Sequence, residues 1–341
     1  AVALAAAMGI GRFAFTPVWP LMAQEGGLSL AQGSWIASAN YAGYLLGALA
    51  AVVWPVRHPR GQLALSLLAV ALLTLAMPLI HDVAFWCALR LAAGYASASA
   101  FICVASSRPV PAGDPREPAA SGLTYAGVGA GIALTGLACL ALMAWGVRAD
   151  GMWLALGGLT LALSAIAWPG LNRAPASGRP SAAAAQPGRL SPAIPRLALH
   201  YGVFGVGYII PATFLPAMAK EVISDPAIFG WAWPLFGLAA AVSCLLVPRL
   251  ARGGDDKRVW QGAQALMALG MLAVALWHHI AAVIVAALLV GGTFMVITQA
   301  GMLTARRAAG AAAPRAAAVM TAAFAAGQIL GPLLASWAAH W

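Results

Sequence analysis

Eleven apolar stretches of roughly 20 residues, separated by short polar breaks, dominate the sequence. They run over residues 1–24, 31–54, 61–80, 83–106, 119–145, 150–169, 194–219, 227–248, 260–279, 281–304 and 314–340, with the weakest break at His278 and His279. Each is long enough to cross a hydrocarbon core of about 30 Å. No water is available there to bond the backbone, so each stretch must satisfy its own N–H and C=O groups as a helix. With 62% hydrophobic and only 8% charged residues, the chain lies far from the charge content of a soluble domain. The expected fold class is therefore an all-α polytopic membrane protein.

The formal charge of +10 would suggest nucleic acid in a soluble chain. With the first end placed in the cytoplasm, 15 of the 19 Lys and Arg residues fall on the inner side. Arg148 and Lys220 fall outside, and Arg12 and Arg90 lie within spans. This is the positive-inside bias of a multi-pass protein with a cytoplasmic N-terminus, and no nucleic-acid partner is expected. Trp54, Trp145, Trp168, Trp260, Trp277 and Trp337 fall near span ends, where indole rings anchor at the headgroup layer. Cys87, Cys103, Cys139 and Cys244 sit in apolar stretches as small buried thiols. The sequence contains no phosphate-binding glycine loop, metal-ligand cluster or paired intramembrane carboxylates, so no enzyme, metal or cofactor is expected.

Residues 170–192, rich in Ala, Pro, Ser, Gly and Arg, read as a cytoplasmic linker. It separates an N-terminal bundle, 1–169, from a C-terminal bundle, 193–341. An offset of 196 aligns Gly11 with Gly207, Pro20 with Pro216, Met22 with Met218, Ala23 with Ala219 and Trp35 with Trp231, the mark of an internal repeat. Six spans precede the linker and five follow, so two pseudo-symmetric six-helix bundles are expected, with a twelfth helix beyond Trp341. Paired bundles of this kind rock around a midplane site.

Four segments carry a resemblance to a known family. These are GIGRFAFTPVWPLM at 9–22, SWIASANYAGYLLGAL at 34–49, the pair Arg90 and Gly94, and GYIIPATFLPAMA at 207–219. Together they resemble the major facilitator superfamily, specifically its bacterial YbfB-type branch, over essentially the whole chain. The resemblance implies alternating access and a cavity lined by spans one, four, seven and ten. The family's loop motif between spans two and three is reduced here to Arg57, His58, Pro59 and Arg60, without its Asp.

Arg12 and Arg90 are the intramembrane charges, and an arginine at that depth costs at least about 2.5 kcal/mol. Apart from Asp150 at the very start of the 150–169 stretch, no Asp or Glu falls inside an assigned span, which leaves backbone carbonyls, hydroxyls, cavity water or an anionic ligand as partners. Two readings stay open. Both arginines could grip a carboxylate, or Arg90 could tie helices together through carbonyls while Arg12 sits at a hinge. Further candidates for the substrate site are Phe15, Tyr41, Tyr95, Tyr125, Tyr208, Thr213, Gln299 and Gln328, with Asn40 and Thr298 beside them. His200 is the candidate proton-coupling group, since imidazole titrates near neutrality. Gly127, Gly131 and Gly136 resemble the family's antiporter motif, with Ile132 and Thr135 departing from it, and together with Gly94 they read as packing positions. Pro20 and Pro216, along with Pro17 and Pro211, mark corresponding weak points in the backbone of the two halves.

The expected function is secondary active transport of a small organic molecule, preferentially an anion. The alternatives are proton-coupled multidrug-type efflux and a non-transporting membrane sensor. The expected surroundings are a lipid bilayer, a small-molecule substrate and a coupling proton, for a monomer in the inner membrane of a bacterium.

Overall fold

A computed structural model describes residues 1–54, 56, 58–107, 114–173, 190–222, 230–250, 255–277 and 279–338, with the side chains of 171–173, 210–222, 249, 250 and 332–338 outside that description. Among the described residues eleven long helices succeed one another without a strand. They are α1 (Val2–Gly26), α2 (Leu30–Val53), α3 (Pro59–Leu75), α4 (Val83–Ser106), α5 (Glu117–Ala144), α6 (Ala149–Arg173), α7 (Ala193–Val222), α8 (Ala232–Leu250), α9 (Asp256–Leu276), α10 (Ile280–Ala309) and α11 (Ala313–Ala338). Seven stretches are long and apolar enough to cross a membrane, one of which, Ile280–Gly331, covers most of α10 and α11.

Local chemistry sets the helix ends. Ser29 and Gln32 close a capping box at the start of α2, with Gln32 Oε1 accepting from the Ser29 N–H at 2.8 Å. Asp82 accepts from Phe85 N–H at 2.9 Å to cap α4, and His279 Nδ1 accepts from Ala281 N–H at 3.1 Å to cap α10. The break expected at His278 and His279 is thus a helix start, with His278 itself outside the described residues. Gly27 and Gly146 end α1 and α5 with φ of 61° and 71°, a left-handed conformation that disfavours a Cβ.

Several boundaries differ from expectation, among them the end of α3 at Leu75 rather than 80 and the end of α10 at Ala309 rather than 304. Helix α5 begins at Glu117 rather than 119, because Pro118 suits a first helical turn. Helix α9 begins at Asp256 rather than 260, capped by Asp255. Helix α6 runs on through Arg173, so the first four residues assigned to the linker are helical. Residues 174–189 of the linker lie outside the described residues.

Many leucines face outward while small residues gather on the inward face of α4, as expected when lipid solvates leucine as well as a protein core does. Leu46, Leu68, Leu72, Leu123, Leu238 and Leu269 are exposed, whereas α4 buries Ala93, Gly94, Ala96, Ser97, Ala98, Ser99 and Ala100. Trp54, Trp145, Trp168 and Trp277 are exposed as expected of anchors. Trp260 is not one of them. It is 5% exposed and meets Tyr201 edge-on at 6.1 Å, because the earlier start of α9 draws it a turn into the bundle. Cys87, Cys103, Cys139 and Cys244 are free thiols, the last three buried.

Close helix crossings rest on glycine. A Cβ on Gly43 would fall 1.8 Å from the Leu91 carbonyl oxygen, and one on Gly94 would fall 2.1 Å from that of Asn40. Helices α2 and α4 therefore touch backbone to backbone. In α5, Gly131 meets Ala5 of α1, and a Cβ on Gly136 would fall 2.8 Å from Pro234 of α8. A Cβ on Gly127 would likewise fall 2.1 Å from the Ala1 carbonyl oxygen. Helix α5 thus packs tightly on partners from both ends of the sequence. Gly43→Ala is expected to lower the detergent melting temperature by the equivalent of about 3 kcal/mol, the upper range for overpacking against backbone. Gly61→Ala, with nothing within 4 Å of the new Cβ, serves as the neutral control. Equal melting of the two variants would refute the tight crossing.

Helices α1 to α6 pack among themselves chiefly through α2 on α4, α3 on α4 and α6, and α1 on α5. Helices α7 to α11 pack through α7 on α11 and through α10 on α8 and α9. The two sets meet where α5 lies along α8 and α2 along α11, with α4 touching α11 and α5 touching α10.

Candidate functional site

The first helix is irregular where it carries its arginine. Residues Ala5–Ile10 form a π-helix, and the wide turn continues through Gly11 N–H to Ala6 O and Phe13 N–H to Met8 O, both 3.2 Å. Such a bulge inserts a residue into the ladder and is frequent at functional sites. Pro17 and Pro20, lacking N–H groups, add to the loss of regular bonding just beyond it.

The carbonyls at this turn are taken by side chains. Arg90 of α4 donates from Nη1 to Gly11 O at 3.0 Å and from Nη2 to Arg12 O at 2.8 Å. Asn40 of α2 donates to Arg90 O at 2.9 Å and to Gly11 O at 3.4 Å. Ser97, two turns after Arg90, donates to Ala7 O at 2.7 Å. One planar guanidinium thus bridges two consecutive carbonyls of the bulged turn, and Arg90 acts as a positioning residue.

Arg12 points the other way. Its guanidinium lies over the Tyr44 ring at 3.8 Å, with Tyr41 at 5.6 Å and Phe13 at 5.7 Å. Nη2 donates to Gln328 Oε1 of α11, 316 residues away in the chain. Arg12 is 3% exposed, yet among the described residues its Nε and Nη1 have no partner, and neither does Nε2 of Gln328 or the hydroxyl of Tyr208. Among the described residues no carboxylate pairs with it. Cation–π contact recovers about 2 kcal/mol or more for a desolvated cation, which leaves the N–H donors themselves unsatisfied. A buried charge with spare donors is costly unless something else takes them up.

Arg12 borders a small cavity of about 20 Å³, room for roughly one water molecule. It lies between α1, α2 and α4 on one side and α7, α10 and α11 on the other, walled by aromatic rings such as Phe101, Tyr208, Phe294 and Phe324. Tyr208 stacks on Phe294 with centroids 5.0 Å apart.

The other candidates distribute unevenly. Tyr208 lines the cavity, while Gln328 and Tyr41 reach Arg12 from its edge. Phe15 turns away toward Arg90 and Trp19 in a cluster of α1, α4 and α6. Tyr125 is buried beside Phe101, with ring centroids 6.0 Å apart, outside the cavity wall. Gln299 donates to Pro118 O at 3.3 Å, nearer the α5 start. Tyr95 is 45% exposed and lines a separate cleft of about 430 Å³ with Trp54, Gln62 and Ser99. It lies one residue past Gly94 on α4, which rotates it off the inward face. His200 is exposed and bonds Arg196 O of its own helix at 2.7 Å, so it faces away from the cavity. Pro20 is exposed within α1. Thr213 and Pro216 belong to α7, with side chains outside the described residues.

Sequence reasoning did not single out Tyr44, Phe101, Tyr201, Phe294 or Phe324. A signal existed for the first two. Tyr44 stands one turn after Asn40, and Arg90, Gly94, Ser97 and Phe101 fall on one face of α4 at helical spacing.

An ionic cluster joins α5 to α9 and α10 at the end of the bundle rich in arginine. Arg306 Nη2 reaches Glu117 Oε1 at 2.9 Å, and Arg307 Nη2 reaches Glu117 Oε2 at 3.1 Å. Arg307 also pairs with Asp256, and Arg306 donates to Ser107 O at 3.0 Å. The expectation that no acid lies within a span is corrected here, since Glu117 opens α5 and is 3% exposed. Nearby Asp114 is held down to about 2 by bonds from the Arg116 side chain and backbone.

The family model described as "Uncharacterised MFS-type transporter YbfB" matches residues 4–341. The chain belongs to this family of the major facilitator superfamily. The YbfB-type chain is thus a multi-pass membrane protein of a transporter family. Its fold is similar to the crystal structure of the human organic anion transporter MFSD10 (TETRAN), with a TM-score of 0.71 and 16% identity, covering 98% of this chain and 91% of that one. Identity that low bears on fold alone. No curated protein matches the sequence.

Proposed function

We propose that this protein is a secondary active transporter that works by alternating access and carries a small organic anion, with Arg12 as its principal contact. The observation that carries this reading is the buried Arg12 guanidinium, unpaired at Nε and Nη1, in a cavity between two sets of helices. Spare N–H donors and an uncompensated positive charge fit a carboxylate. The MFSD10 structure, described as that of an organic anion transporter, lends support from a similar fold. A cationic cargo would meet the charge of Arg12, which disfavours the efflux alternative.

In this reading the arginine-rich end faces the cytoplasm of a bacterial inner membrane, following the positive-inside bias. The bundle 1–169 moves against 193–341, and the Glu117, Arg306 and Arg307 cluster closes the cytoplasmic end in the present state.

The test is counterflow in proteoliposomes with labelled acetate, lactate, succinate and benzoate. At least one should exchange, and Arg12→Gln should slow that exchange by about 10- to 100-fold, the loss of one or two charge-assisted bonds. Flux indifferent to Arg12→Gln would refute the assignment. His200→Gln is expected to leave the pH-gradient dependence of uptake unchanged within about twofold, because the ring faces out of the bundle. Loss of that dependence would return His200 to the mechanism.

A further inference from the structure

We propose that the cargo is an aromatic monocarboxylate, a class that deepens the anion reading and rests on it. Charge counting comes first. Arg12 is the one ionised side chain on the cavity wall among the described residues, since Arg90 turns its guanidinium to the carbonyls of Gly11 and Arg12. A single negative charge neutralises the site, whereas a dianion would carry a second charge into it unpaired.

Counting hydrogen bonds sharpens the class. The hydroxyls of Thr298 and Thr321 are spent on Phe294 O at 3.0 Å and Ala317 O at 2.7 Å, and Tyr201 donates to Thr298 at 3.1 Å. What remains unpaired around Arg12 among the described residues is its own Nε and Nη1, Gln328 Nε2 and the Tyr208 hydroxyl. A carboxylate, with two oxygens and about four lone-pair sites, can take up such a set. An ammonium group finds no carboxylate on the cavity wall among the described residues, only hydroxyl oxygens, and it would meet the like charge of Arg12.

The rest of the wall is ring and thioether surface: Phe13, Phe101, Phe294, Phe324, Met8 and Met295. Phe294 is stacked with Tyr208 at 5.0 Å and with Phe236 at 5.1 Å, so a column of aromatic rings runs from the polar corner. A planar ring attached to the carboxylate suits such surroundings once the cavity opens. In the closed cavity Gln328 Oε1 occupies one donor of Arg12, as a ligand oxygen would. Gln328, on α11, therefore stands in for the cargo. Its release from Arg12, on α1, frees α11 to move as the cargo enters.

The experiment uses the full chain purified in detergent and measures affinity by ligand-induced thermal stabilisation. The probes are benzoate, phenylacetate, acetate, phthalate, benzamide and phenylalanine. Benzoate or phenylacetate should bind at least about tenfold tighter than acetate, which lacks the buried ring. Each should also bind at least about tenfold tighter than the neutral amide, the dianion and the zwitterion. Phe294→Ala should erase the preference over acetate without weakening acetate, and Arg12→Gln should erase the preference over benzamide. If acetate, phthalate or phenylalanine binds as tightly as benzoate in an Arg12-dependent way, the aromatic class is overturned and the anion site stands. If no anion depends on Arg12, both are overturned. The wild-type panel alone decides the class should a variant fail to fold.

Discussion

Arg90→Leu is expected to be among the most damaging single substitutions in the first six helices, at about 4 kcal/mol. The substitution removes two buried charge-assisted bonds, at 3.0 and 2.8 Å, and leaves the Arg12 carbonyl without a side-chain donor and the Gly11 carbonyl with only the longer bond from Asn40 at 3.4 Å. Each stranded buried acceptor costs roughly 1–3 kcal/mol, and leucine offers nothing in exchange. The helix cannot readily take the Arg12 carbonyl back, because the Thr16 N–H already bonds Phe13 O at 3.3 Å and Pro17 has no N–H. Arg90→Lys keeps the charge without the planar fork, so it should recover part of the stability while still misplacing the turn that presents Arg12. Melting temperature in detergent checks the first claim, and the exchange KM of the Lys variant checks the second. An Arg90→Leu protein that melts like the wild type would show that the two carbonyls find other partners.

Glu117→Gln is expected to open the arginine-rich end of the bundle. Glu117 accepts from both Arg306 and Arg307, is itself 4% exposed at the side chain, and ties α5 to α10. Losing the charge of a nearly buried, hydrogen-bonded pair costs about 2–5 kcal/mol, most of it paid where the pair is formed, in the closed state. A middle value of about 3 kcal/mol shifts a two-state equilibrium by more than a hundredfold. A cysteine in place of Thr298 on the cavity wall reports the change in a background without Cys87, Cys103, Cys139 and Cys244. A membrane-impermeant thiol reagent supplied from the arginine-rich side should label it at least about tenfold faster in the Glu117→Gln protein. Labelling at an unchanged rate would reduce the cluster to a surface contact.

The helices themselves were legible because an apolar stretch in a bilayer has one way to satisfy its backbone. Even the weak break at His279 is realised as a helix cap. Two of the errors lie at polar ends, where Glu117 and Asp256 join their helices, because a first turn tolerates acids and proline that a hydropathy reading assigns to loops. The candidate site was legible in part. Arg12, Gln328, Tyr41 and Tyr208 gather, whereas Tyr95 and His200 face away, since the direction of a side chain depends on rotation about a helix whose pattern is apolar on every side.

By itself, the sequence determined that this chain is a succession of membrane helices carrying two intramembrane arginines, because the cost of unbonded backbone and buried charge follows from local composition. Only the tertiary structure separated those arginines. One is spent on the carbonyls of a bulged turn, and the other is left over a tyrosine ring with donors to spare. The difference depends on partners 78 and 316 residues distant, on helices whose approach is set by glycine contacts across the bundle. No local property of the chain encodes which guanidinium meets a carbonyl and which meets a cavity.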